Sequence, residues 1–325
     1  MIQPIRWTLD PGKPVIRPGV LNPPYDTNRV GSAHVLRVGD RYRLYYWATD
    51  AGNLHRICMA ESNIDAPNAW RPLGVALERQ PDTDYNCVGP GFPFVLPRDD
   101  GPWLLYFGAW GRKEGDGKLP NSTGVALSDD QGITWRYPLD KPVFGKDKPY
   151  DIEGSGSCCV LNEGGMLRMY YTALGEYSPK PEGVETGHKD PIPHIGVGYA
   201  VSRDGINWEK PLDDWIVGPR GFDTTPFEYI ASKPFVLREE TGYRMWVNTF
   251  GTAYRIRSLT SPDGLAWEWN ESGLEGELGV GDAGAFDSKQ RCYVSALKHE
   301  EEYRLWYSGD QFGHTGTGYA VGRAI

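Results

Sequence analysis

Acid–base chemistry on a neutral bond needs two carboxyl groups in different surroundings, one to give a proton and one to accept it or attack. Two acidic residues stand out because they interrupt a pattern. Glu153, in Asp151-Ile152-Glu153-Gly154-Ser155-Gly156-Ser157, and Glu228, in Pro226-Phe227-Glu228-Tyr229, have no acidic counterpart at matching places along the chain. The small residues after Glu153 let a ligand approach closely, and the aromatic neighbours of Glu228 offer a desolvating surface. Asp26, Asp151 and Asp287 instead recur, each behind an aromatic residue (Tyr25, Tyr150, Phe286), with Phe222-Asp223 as a displaced copy and Asp84 or Asp82 in the corresponding place of the second repeat. Repetition of that kind reads as a turn whose Asp accepts backbone N–H bonds, while Asp26 and Asp84 remain candidates for the second carboxylate.

Cations and rings complete the set. Lys233 falls inside a run that reads as a strand, just before Pro234-Phe235-Val236-Leu237, where an ammonium needs a carboxylate or a polar ligand group. Arg29 and Arg255 could bind an anion. His55, His194 and His314 stand at or near equivalent strand starts, with Tyr254-Arg255 in the same place elsewhere, and His34 lies within a strand. Converging imidazoles make a polar rim or, as a weaker expectation, a metal site; no metal and no cofactor is assigned. Trp110 and Tyr177 sit beside two long connections and offer flat faces for the apolar side of a sugar.

These residues need a scaffold that brings distant segments to one place, and an internal repeat supplies it. Tyr42–Ala48, Trp103–Ala109, Leu167–Ala173, Tyr243–Thr249 and Tyr303–Gly309 share one pattern, and before each runs an apolar strand ending in a turn. After the second, third and fourth come Ser128–Trp135, Ser202–Trp208 and Ser261–Trp267, each a Ser, an Asp and a Gly leading to Trp, with Ser62–Trp70 as a looser copy. Four strands per repeat predict an all-β five-bladed β-propeller of four-stranded antiparallel blades. The last repeat stops one strand short, and Trp7–Ile16 resembles Trp135–Phe144. The N-terminal segment is therefore expected to join the last blade, around Lys13–Arg17 against Gly316–Val321, and close the ring. Blades are expected at about 19–80, 81–146, 147–219, 220–280 and 281–325 plus 1–18, one domain over residues 1–325.

Composition agrees with many short strands: 12 Trp, 19 Tyr, 41 Gly and 26 Pro in 325 residues. A formal charge of −9 excludes a strongly basic surface of the kind that nucleic acid or anionic membrane requires. Five cysteines without C-x-x-C spacing suggest reduced thiols rather than a disulfide framework or zinc site, and the absence of a signal-like start leads to an expected cytoplasmic location.

The hairpin repeat and the Ser-x-Asp-Gly-x-x-Trp segments resemble those of five-bladed propeller glycosidases, the superfamily with glycoside hydrolase families 43, 32, 62 and 130. The resemblance spans nearly the whole chain and marks the scaffold. It implies a carbohydrate or glycoside ligand, a general acid at Glu153, whose Glu153-Gly154-Ser155 departs from the family-43 Glu-Gly-Pro motif in its third residue, and further carboxylates at Asp26 and Asp84. Where family 43 carries its Asp close to the apolar centre of strand one, this chain has Ala33-His34 and Phe92-Pro93. Three readings follow: hydrolysis by paired carboxylates, with Glu228 as another base candidate; phosphorolysis, with Lys233, Arg255 and Arg29 holding phosphate; or a propeller that binds carbohydrate without catalysis or is recruited to non-sugar chemistry in a biosynthetic pathway.

Overall fold

A computed structural model describes residues 2–10, 13–112, 115, 118–221, 227–271 and 275–325. After β1 (Ile5–Leu9), hairpins and meanders follow: β2 (Arg29–Val38), β3 (Arg41–Thr49), β4 (His55–Asn63), β5 (Arg71–Leu77); β6 (Gly89–Leu96), β7 (Trp103–Trp110), β8 (Asn121–Ser128); β9 (Gly154–Glu163), β10 (Met166–Ser178), β11 (Ile192–Ser202). Then come β12 (Ile230–Glu239), β13 (Gly242–Phe250), β14 (Tyr254–Ser261), β15 (Glu268–Trp269), and finally β16 (Cys292–His299), β17 (Glu302–Ser308) and β18 (Thr317–Ala324). The protein is all-β, with antiparallel order within each meander, and a single parallel pair, Ile195↔Ile230, joins the β9–β11 group to the β12–β15 group. The first strands pack on one another in the order β2, β6, β9, β12, β16 and back to β2.

The repeated segments form the second strand of each group because their rings and aliphatic chains are buried on both faces, as in β3, where all but Arg41 are buried. The Ser-x-Asp-Gly-x-x-Trp segments are turns that close on themselves. Asp130, Asp204 and Asp263 each accept two backbone N–H bonds from the residues that follow; at Asp130 the Thr134 hydroxyl first and then these bonds, and at the other two chiefly these bonds, hold the carboxyls below the usual range. Trp135, Trp208 and Trp267 donate to the carbonyls of Gly132, Gly205 and Gly264. The same carbonyls accept from Tyr45, Tyr106 and Tyr170 of the preceding group at 2.7, 2.9 and 2.8 Å, so each turn fastens two neighbouring sheets.

Fourth strands are shorter than the sequence suggests. Where full strands were expected after β8 and β11, only the bridges Leu127↔Arg136 and Val201↔Glu209 (with Val197↔Val217) form, and β15 has 2 residues. Pro138, Pro142 and Pro211 remove donors from those segments. The N-terminal pairing also moves: Ile5–Leu9 runs along Ala324–Ala320, while of the expected Lys13–Arg17 segment only Ile16 bridges Thr317. Trp7 fixes this choice by packing edge-on against Trp246 and Tyr303 and donating to Glu277.

Deleting residues 1–18 removes β1 and the Ile16 bridge and leaves the long edge of β18 open. The truncated chain is expected to aggregate or melt far below the parent in a thermal scan; equal melting temperatures would contradict a structural role for this pairing.

Candidate functional site

The antiparallel order sets the starts of the first strands, the ends of the second and the starts of the third at one end of the molecule. All five first strands break register there, between Gly31 and His34, Gly91 and Phe94, Ser155 and Cys158, Ser232 and Phe235, and Cys292 and Ser295. In four of these breaks, all but that of β9, one non-glycine residue has left-handed backbone: Ser32 (φ 44°), Phe92 (50°), Lys233 (49°) and Tyr293 (59°). Such residues cost about 1–3 kcal/mol and persist where neighbours over-determine them. Here the neighbours are named. The amides of Ser32, Lys233 and Tyr293 donate to Ser308 Oγ, Thr172 Oγ1 and Asn248 Oδ1 at 2.8, 2.8 and 2.7 Å. In the repeat these three side chains share a column with Trp47 and Gly108, and Trp47 meets Phe92 ring to ring at 5.0 Å.

Below the bulges the centre is filled. His34 lies 4.6 Å from Phe94 and 6.1 Å from Phe235, centroid to centroid, and its Nε2 contacts the Val95 carbonyl. Burial, with Lys233 nearby, pushes its pKa down to about 3. Lys233 is equally buried and donates from Nζ to the Val294 carbonyl at 2.9 Å rather than to a carboxylate; burial lowers its pKa to about 8. Of the two expected partners, a carboxylate or a polar ligand group, no carboxylate pairs with Lys233 among the described residues, because the bulge aims it into an apolar centre.

Above the bulges lies an aromatic cluster. Trp47 and Trp110 stack at 4.8 Å with 15° between planes, Phe92 and His55 pack against both, and Tyr293, Tyr254 and Phe312 continue the cluster across the mouth. Gly91 makes room, since a Cβ there would meet both indoles at 2.7 Å. Arg29 lies 4.2 Å over Trp47, and its Nη2 donates to His314 Nε2 at 2.5 Å. His55 is pushed to about 3 by burial and by Arg29, and His314 is lowered by the same two causes. His55 and His314 thus gather around Arg29, whereas His194 stands apart, against Ser178 Oγ. Among the described residues no group of three or more His, Cys, Asp or Glu could hold a metal ion.

The carboxylates part company. Asp26 is fully buried, and its Oδ2 accepts from Tyr46 and from the Asn22 amide. Asp151 and Asp287 take the same bond from Tyr171 and Tyr307 at 2.7 Å, so this Asp is a latch between the loop and the second strand and not a base facing solvent. In the second group the residue at this place is the fully buried Asn86, one turn beyond the expected Asp84; Asp223 lies outside the described residues. Glu228 is also built in. Arg257, at 2.9 Å, Thr249 and Arg220 hold its carboxylate at 2 % exposure, while Arg255 turns to Glu275 and to the Tyr254 carbonyl. That network occupies the carboxylate expected as a base candidate.

Glu153 and Asp84 do meet. They line one cleft of about 550 Å³ with Arg112, Lys118 and Lys146. Lys118 forms an ion pair with Glu153 and lies 5.7 Å from the Tyr177 ring, while the Leu119 amide donates to Tyr177 Oη. The long connection after β7 therefore rests on the end of β10. Beyond Tyr177 an adjoining cleft of about 530 Å³ is lined by Tyr150, Trp215, His194, Glu176, Asp213 and Asp214. The expected single pocket of Glu153, Glu228, Lys233 and the histidines is thus divided. Lys118, Arg112, Lys146 and Trp215 escaped the sequence reading: loop lysines carry no periodic signal, and Trp215 follows a fourth-strand segment that forms only bridges.

No family model matches the chain. Two curated proteins from Mycobacterium tuberculosis do: "Uncharacterized protein Rv1502" of strain H37Rv and "Uncharacterized protein MT1551" of strain CDC 1551, each 33 % identical over 291 residues, spanning 87 % of this chain and 88 % of the relative. The chain belongs to the Rv1502 family. This chain shares its fold with solved glycosidases. A thermostable family-43 glycoside hydrolase superposes with TM-score 0.61 at 16 % identity, covering 94 % of this chain and 91 % of the other. Zg3597, a family-117 glycoside hydrolase of Zobellia galactanivorans, gives 0.63 at 16 % identity over 99 % and 90 %. A structure described with the family-130 mannoside phosphorylases and hydrolases gives 0.65 at 14 % identity over 99 % and 94 %. The likeness at these identities is one of fold, that of the glycosidase propellers.

The two buried imidazoles make stability depend on acid. In the unfolded chain a histidine protonates near 6.5; folded, His34 and His55 stay neutral down to about 3. The unfolded state binds more protons between those values, so their contribution is complete above pH 6.5 and declines as the pH falls towards 3. Melting temperature is expected to drop across this window, and a His34→Gln/His55→Gln double variant to drop less steeply. A parent whose melting temperature stays flat from pH 6.5 to about 4 would contradict the buried, neutral assignment.

Proposed function

We propose that the chain is a single five-bladed propeller, with blades at about 19–80, 81–146, 147–219, 220–280 and 281–325 completed by residues 1–18, and that it processes a small glycoside or oligosaccharide. The cyclic packing of β2, β6, β9, β12 and β16 supports the blade count, and the pairing of β1 with β18 supports closure by the N-terminal strand. The observation that carries the activity is the contact of the connection after β7 with Glu153 and with the end of β10, with Asp84 in the Glu153 cleft and the rings of Tyr177 and Trp215 in the adjoining one. Carboxylates in one cleft and aromatic faces in the next suit a sugar, which offers apolar C–H faces and a rim of hydroxyls. Five free cysteines, four of them buried, suit a reducing compartment, and a cytoplasmic location belongs to this reading.

In this reading Glu153 gives its proton to the leaving oxygen while Asp84 faces the opposite side and activates water. Lys118 must leave Glu153 before that carboxyl can carry a proton, so the loop bearing Lys118 acts as the gate. Arg112, Lys118 and Lys146 give a second reading its own cations: with phosphate in place of water the same cleft would carry out phosphorolysis, with different cations from Arg29, Arg255 and Lys233, which the fold separates.

Glu153→Gln keeps shape and hydrogen bonding but removes the proton. Turnover of oligosaccharides is expected to fall roughly 10²–10⁴-fold, with much less loss on aryl glycosides whose leaving group needs little protonation. Assays run with and without phosphate separate the two readings. Equal loss on both substrates, or none, in a variant of an active parent would remove Glu153 from the acid's role.

A further inference from the structure

The aromatic mouth contains three buried nitrogens that meet no partner: Arg29 Nε, Trp47 Nε1 and His55 Nδ1. They are neighbours, since the Arg29 guanidinium lies over Trp47 and the Trp47 and His55 rings are 5.3 Å apart. Trp47 is 4 % exposed and His55 9 %. Arg29 takes part in none of the ion pairs found among the described residues, and burial lowers its pKa. Its one side-chain hydrogen-bond partner is His314, a neutral imidazole that accepts at Nε2 and so brings no negative charge.

A guanidinium in such a place loses hydration without gaining a counter-charge. The Trp47 N–H beside it lacks an acceptor, and so does His55 in its Nδ1–H tautomer, and each buried donor left unmade is costly. A water molecule would satisfy one or two donors but leaves the charge uncompensated. What the cluster lacks is an anionic acceptor with several oxygens, which a guanidinium fork recognises by paired charge-assisted bonds.

We propose that the mouth binds the oxyanion of an acidic ligand, a carboxylate or a phosphate on a sugar-sized molecule, with Arg29 as counter-charge and Trp47 Nε1 and His55 as further donors. Trp110 is partly exposed and ends β7 beside its long connection, at the rim of the cluster, where its ring can meet the ligand's apolar side. This site is separate from the Glu153 cleft, whose lining includes neither Arg29 nor His55.

The test is calorimetry and tryptophan fluorescence on the full chain with glucuronate, inorganic phosphate and, as a neutral control, glucose. Saturable binding of either anion, with a change in indole emission that glucose does not produce, is expected; the anion that binds tells carboxylate from phosphate. Arg29→Gln is expected to weaken it at least ~10-fold, and the anion should raise the melting temperature of the parent but not of this variant. Glu153→Gln should bind as the parent does, which keeps this outcome apart from that of the cleft. The proposal is overturned if neither anion binds at millimolar concentration, or if a folded Arg29→Gln binds as tightly as the parent. Should Arg29→Gln fail to fold, His55→Phe is read instead, and unchanged affinity there overturns it equally.

Discussion

A tyrosine hydroxyl donating to a glycine carbonyl in the next sheet is the contact on which the arrangement depends. Tyr45, Tyr106 and Tyr170 make it to Gly132, Gly205 and Gly264, and each carbonyl also accepts from the Trp of its own turn. One acceptor thereby fixes the turn and the spacing of two sheets. The glycine is required, because a Cβ at Gly132, Gly205 or Gly264 would strike the incoming ring or hydroxyl within 3 Å and the backbone there is left-handed. Trp306 makes the corresponding reach with its indole, to Asn68.

With the sheets held in that way, their first strands can carry strain at one end. The bulges at Ser32, Phe92, Lys233 and Tyr293 rotate those side chains relative to regular pleating, and polar residues on the preceding sheet capture the amides that the bulges release. Two chemically different layers result from a single device. Beneath it His34 and Lys233 are forced into an apolar centre, and above it the rings of Phe92 and Tyr293 join Trp47 to make the mouth.

Repetition and interruption carry different information. The recurring Asp of each loop is occupied by its Tyr latch, as Asp26 is by Tyr46 and Asp287 by Tyr307, so its regularity reflects assembly. Glu153 interrupts the repeat and lines a cleft, and Trp47, the one ring in its column, carries an unpartnered N–H. Glu228 also interrupts it, yet ends in an arginine network, so a departure from the repeat does not by itself mark a site.

The amino-acid sequence determined the all-β class, the repeat, the turn signature and the joining of the N-terminal segment to the last strands, because hydrophobic alternation and turn chemistry are local and recur. It also marked one end of the molecule as the place where Glu153, Arg29 and the histidines collect. It did not determine which of them meet. Pairing across sheets depends on a one-residue bulge that reverses which face a side chain takes, and on loop residues such as Lys118 whose reach follows no period. That Lys233 rests on a carbonyl, Glu228 on Arg257, and Glu153 on Lys118 beside Asp84 was decided by the tertiary structure, since each contact joins segments that only the packing of separate sheets brings within hydrogen-bonding distance.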